Sequence, residues 1–93
     1  MSEHRLDKIM LRCPCCVNYY EVEAGDERYI GEICPICFWQ YDIVGQEQVN
    51  IAIGPNKVSL TEARKNYKKF GASTERLLPY VRKPLDDELP KNN

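Results

Sequence analysis

Five cysteines stand among the 93 residues, all between positions 13 and 37. Four of them fall into the pattern C-x2-C-x17-C-x2-C: Cys13-Pro14-Cys15-Cys16 and Cys34-Pro35-Ile36-Cys37. Paired C-x-x-C turns at this spacing are the arrangement of a four-thiolate metal site. Each turn aims two sulfurs at one ion, with metal–sulfur bonds of about 2.3 Å. Proline at the second position of each turn stiffens it before a metal arrives. The symmetry of the turns selects Cys13, Cys16, Cys34 and Cys37 as ligands. Cys15 is left over inside the first turn. It reads either as a small buried filler or as a reactive thiol beside the metal. Pairing Cys13 with Cys15, or exchanging Cys15 for Cys16, breaks the symmetry with the second turn.

Soft thiolates suit zinc or a single iron. A closed four-sulfur zinc site is structural, because catalytic zinc keeps one position open for water. One structural Zn2+ is therefore the expected cofactor, with an iron electron carrier as the alternative. Disulfides are the weaker reading. The count is odd, and residues 1–10 lack the apolar stretch of a secretion signal, so the protein is expected in the cytoplasm. No apolar run approaches the ~20 residues of a membrane span.

The chain must hold these turns with little material. A domain of this length buries only about 60–65% of its unfolded surface, and a metal is one standard remedy. Three stretches are distinguishable within one domain: a loose lead-in over 1–12, a four-cysteine hairpin over 13–44, and a helical extension over 45–93 ending in an extended tail. VNYYEVEAGDERYIGEI, between the cysteine pairs, reads as a strand near 18–23, a turn at 24–27 and a strand near 28–33. Ser59-Leu60-Thr61-Glu62 is a capping box, and Gly71 is a natural stop for the helix it opens. Leu60, Ala63, Tyr67 and Phe70 share one face of that helix. Arg64, Lys65, Lys68 and Lys69 lie on a separate arc. A short helical turn is expected from residue 73 or 74 to Leu78, stopped by Pro79. The prolines and acidic run of 82–93 read as extended.

The motifs resemble the cysteine-rich CPCC family. The resemblance is carried by C-P-C-C at 13–16, by Glu32-Ile33-Cys34-Pro35-Ile36-Cys37-Phe38-Trp39, and by the stretch from Gly54-Pro55-Asn56 through Glu62-Ala63-Arg64 to Phe70-Gly71-Ala72. It covers roughly residues 10–90. It implies a bacterial or phage origin, a zinc-ribbon or rubredoxin-like core and four cysteine ligands, and it implies no particular substrate. Many metal knuckles carry glycine after the second cysteine, where this chain has Val17 and Phe38, so a tight local geometry is expected there. The fold class expected is a small α+β domain: a zinc-ribbon or rubredoxin-like metal-bound hairpin, a C-terminal amphipathic helix and an extended tail.

Enzyme chemistry is poorly provided for. The single histidine, His4, stands in the lead-in, and no phosphate-binding glycine loop is present. Net charge is −1, divided as −5 over residues 1–56 and +4 over 57–93. That asymmetry suits electrostatic steering of a charged partner. Tyr19, Tyr20, Tyr29 and Tyr41 exceed what a small hairpin needs, and tyrosine is common at interfaces. The reading is a non-enzymatic protein-interaction module: an adaptor, a regulator or an inhibitor of a partner protein. The alternative is a nucleic-acid-binding ribbon using Arg64, Lys65, Lys68 and Lys69. Against it stand the low isoelectric point, about 5.8, and the −2 charge of a zinc–tetrathiolate site.

Overall fold

A computed structural model describes residues 8–23 and 29–90. His4 and the turn expected at 24–27 lie outside these residues. Strand β1 (Lys8–Arg12) pairs antiparallel with β2 (Tyr19–Glu23), in the register Lys8↔Glu23, Ile9↔Val22, Leu11↔Tyr20 and Arg12↔Tyr19. Helix α1 (Ile43–Glu47) and helix α2 (Leu60–Phe70) follow, then 3₁₀ turns at Glu75–Tyr80 and Asp86–Glu88. No helix is long and apolar enough to cross a membrane, among the described residues.

The hairpin is not the one expected from the sequence. Its turn is the first cysteine knuckle itself. Cys13 N–H donates to Asn18 O (2.8 Å) and Val17 N–H to Cys13 O (2.9 Å), which folds the chain back at once. Residues 8–12, expected as a loose lead-in, therefore meet 19–23 and form the partner strand. Alternation decides which face turns inward: Tyr20 and Val22 are buried, while Glu21 and Glu23 point to solvent. The second strand expected near 28–33 does not form among residues 29–33. Ile33 makes a single bridge to Gln40. The partner of β2 comes instead from residues 8–12, across the tighter turn of the knuckle.

The same construction recurs 21 residues on. Cys34 N–H donates to Trp39 O (2.9 Å) and Phe38 N–H to Cys34 O (2.8 Å). The bridge Ile33↔Gln40 stands where Arg12↔Tyr19 stands in the first knuckle. Val17 and Phe38, the equivalent residues after the second cysteines, have φ of 61° and 72°. This is the left-handed region that glycine would occupy without strain, at a cost of about 1–2 kcal/mol to other residues. Val17→Gly should release that strain at a chain-entropy cost of about 0.5–1 kcal/mol. The expected net gain is under about 1 kcal/mol, or a few degrees in Tm of the metal-loaded protein by thermal melt. An unchanged or lower Tm would show that the Val17 side chain contributes more than its backbone costs.

Helix α2 starts at Ser59, whose Oγ accepts from Glu62 N–H (3.0 Å), and ends at Gly71, with φ of 98°. A cap of this kind contributes about 1 kcal/mol. Leu60 and Ala63 are fully buried, Tyr67 packs against the core, and Phe70 is only half-buried. Helix α1 went unread because it is short. Asp42 caps it, accepting from Gly45 N–H (3.1 Å).

Among the described residues the C-terminal stretch is extended at Val81, Leu85 and Leu89, but it turns at Asp86–Glu88 and is docked rather than free. The turn expected to stop at Pro79 runs through it to Tyr80. The chain meets the second knuckle on both sides of this turn: before it Ser73 N–H donates to Cys37 O (2.7 Å), and after it Arg82 N–H donates to Pro35 O (3.2 Å). Arg82 grips Glu88 with both terminal nitrogens (2.7 and 2.9 Å), and Leu85 N–H donates to the same carboxylate (2.8 Å). Glu88 is buried, so an acidic residue that reads as solvated surface in the sequence is instead an anchor.

Candidate metal centre

Each knuckle supplies two of four sulfurs that converge at the middle of the core. Cys13, Cys16, Cys34 and Cys37 hold their ligand atoms within 4.8 Å of one another. Cys13 Sγ lies 3.5 Å from Cys37 Sγ, and Cys16 Sγ lies 3.8 Å from Cys34 Sγ. Tetrahedral bonds of about 2.3 Å place sulfurs about 3.8 Å apart, so the four fit one thiophilic ion. All four are 4% exposed or less.

The knuckles also supply the polar support that a buried thiolate needs. Cys15 N–H donates to Cys13 Sγ and Ile36 N–H to Cys34 Sγ, both at 3.4 Å. These two bonds obey the same 21-residue shift. Amide donors favour the ionised sulfur. In the cluster without a counter-charge, the thiols divide one another's protons. The hydrogen bond from Cys13 pulls both Cys16 and Cys34 below the ordinary thiol range. Cys13 is pushed up chiefly by its hydrogen bond with Cys16, and Cys37 chiefly by its bond with Cys13. A divalent cation would let all four ionise.

The 21-residue shift also places Cys15. It stands where Ile36 stands in the second knuckle, and both are buried. Its sulfur is not part of the four-sulfur group. Cys15→Ser should therefore keep one metal per chain and the fold, losing about 1–3 kcal/mol for a buried hydroxyl without a matched partner. Metal analysis of the purified variant checks this, and loss of stoichiometric metal would overturn the ligand set. Cys16→Ser is the contrasting variant, with the metal lost.

Two side chains beside the cysteines tie the centre to the helices, and the sequence carried no local signal for their partners. Asn18 Nδ2 donates to Tyr67 Oη (3.2 Å), tying the first knuckle to α2. Trp39 Nε1 donates to Gln46 Oε1 (3.1 Å), tying the second knuckle to α1. Tyr20 is buried with no hydrogen-bond partner for its hydroxyl among the described residues, and burial pushes its pKa up. The other tyrosines singled out above serve local packing: Tyr29 and Tyr41 meet edge to face at 5.2 Å, and Arg12 lies over Tyr19 at 5.9 Å. Arg64, Lys65, Lys68 and Lys69 are all exposed on α2, and Arg64 Nε donates to Pro14 O (2.9 Å).

A family model described as "Cysteine-rich CPCC" matches residues 11–88. No curated protein and no solved structure matches the chain.

Proposed function

The chain belongs to the cysteine-rich CPCC family, and on that premise we propose that it is a zinc-ribbon-like, non-enzymatic module whose structural Zn2+ holds a protein-binding surface in shape. The observation that carries the reading is the closure of the metal centre. Four sulfurs, each 4% exposed or less, would fill a tetrahedral ion and leave no coordination position for a substrate. Cys13, Cys16, Cys34 and Cys37 would hold the ion, which supplies cross-linking rather than chemistry. The binding role is supported by what the small core leaves outside. Ile43, Val44, Ile51 and Ile53, around α1, are each 40–52% exposed. Aliphatic side chains exposed at this density suit a partner surface.

The test is capture of tagged, metal-loaded protein from lysate of its host, with and without nuclease. A single stoichiometric protein that survives nuclease and moderate salt supports an adaptor, regulator or inhibitor. Retention that vanishes with nuclease moves the function to nucleic acid and to the exposed cations of α2. Metal analysis of the native protein decides zinc against iron, since a four-thiolate iron centre is coloured and redox-active.

A further inference from the structure

Helix α2 and the chain that returns beside it do not close on each other. Between them lies a cavity of about 700 Å³. Phe70, Leu78, Val81 and Pro84 give it an apolar lining, and Lys68, Lys69 and Lys83 add three cations. The three lysines are exposed, and their side chains make no ion pair or hydrogen bond among the described residues. Arg82, the fourth cation of the lining, is committed to Glu88. A second cavity, of about 410 Å³, runs from Arg64 of α2 to the first knuckle at Cys15, Cys16 and Val17. Tyr67 and Lys68 line both, so the two cavities adjoin along α2.

The shape and the charge select an occupant. Two cavities joined along a helix suit an extended chain better than a compact small molecule. Three unpaired ammonium groups call for anions, and a lining of Leu78, Val81 and Pro84 with the rings of Phe70 and Tyr67 calls for apolar side chains. Single-stranded nucleic acid meets the first demand and the second only in part, because its bases stack on aromatic rings, which Tyr67 and Phe70 supply, and not on Leu78, Val81 and Pro84. We propose that this trough seats an extended acidic segment of a partner protein, carboxylates pairing with Lys68, Lys69 and Lys83 and interleaved aliphatic side chains entering the cavity. The proposal rests on the protein-interaction reading and gives that partner its chemistry.

The trough also depends on the metal. Its returning wall hangs from the second knuckle through Ser73 N–H to Cys37 O and Arg82 N–H to Pro35 O. Peptide binding is thereby a property of the metal-loaded protein.

The probe is a labelled synthetic peptide of alternating Asp/Glu and Leu, titrated with metal-loaded protein and followed by fluorescence anisotropy. Binding is expected to saturate, to weaken about tenfold or more in Lys68→Glu/Lys83→Glu, and to change little in Lys65→Glu. Lys65 is an exposed lysine of α2 that lines neither cavity, so it reports general electrostatics. No binding, equal losses in Lys65→Glu and the double variant, equal binding of the Asn/Gln version of the peptide, or tighter binding of a thymidine oligonucleotide each overturns the trough. A partner captured from lysate whose retention ignores Lys68→Glu/Lys83→Glu overturns the trough alone. Failure to capture any partner overturns the interaction reading, and with it the trough as that partner's seat.

Discussion

Chelating the metal, or replacing Cys34 with serine, should convert the protein to a largely unfolded chain. Cysteines make up nearly half of the buried core cluster, which otherwise rests on Tyr20, Val22, Ile36, Trp39, Leu60 and Ala63. Structural zinc contributes an apparent ~10–16 kcal/mol in small metal domains. That matches or exceeds the ~5–15 kcal/mol that holds a typical domain folded. Without the ion, the centre of the core is five small cysteine side chains rather than packed hydrocarbon, so the apo fold is left unsupported. The check is the amide NMR spectrum before and after a strong chelator, beside that of Cys34→Ser. Collapse of dispersion is expected in both. A well-dispersed Cys34→Ser spectrum would refute the structural role of the metal.

Acid should act in the same direction. Protons compete with the metal for thiolates, so affinity falls as pH falls. Glu88 adds a smaller contribution of the same sign. The Arg82 guanidinium holds its carboxyl below the ordinary 4.5, so the stability it contributes is present above that value and is lost as pH drops through its lower folded-state pKa.

What the sequence could disclose depended on the range of the interaction. The four-cysteine cluster was legible because two C-P-x-C turns encode local geometry, and α2 was legible because Ser59, Glu62 and Gly71 mark its ends within one short stretch. The strand pairing was misread for a related reason. Gly25-Asp26 is a conventional hairpin signal, whereas C-P-C-C marks a turn for ligands and carries no sign that the residues on either side of it, 8–12 and 19–23, pair as strands. The departure from glycine at Val17 and Phe38 did point to tight geometry, and both residues have positive φ. The docking of residues 82–89 was not legible at all. Arg82 N–H donates to Pro35 O while its side chain holds Glu88, and the first of these contacts joins positions far apart in the chain.

Trp39 shows how the run Phe38-Trp39-Gln40-Tyr41 divides its labour, and it carries the second large effect. Phe38 turns outward to Tyr80, with ring centres 5.7 Å apart, and Tyr41 meets Tyr29. Trp39 turns inward and is 1% exposed. Its carbonyl closes the second knuckle on Cys34 N–H, and its indole N–H reaches Gln46 Oε1. That oxygen also accepts from Asp42 N–H (2.8 Å), at the start of α1. Trp39→Ala should cost about 3–5 kcal/mol through the cavity it leaves. Trp39→Phe keeps most of the packing and leaves Gln46 one of its two donors, so about 1–2 kcal/mol is expected. Chemical denaturation of the metal-loaded variants measures both. Because the knuckle and the core fold together, metal affinity should fall in the same order, alanine well below phenylalanine. Equal, small losses in the two variants would mean that the metal alone organises the second knuckle and that Trp39 merely fills space beside it.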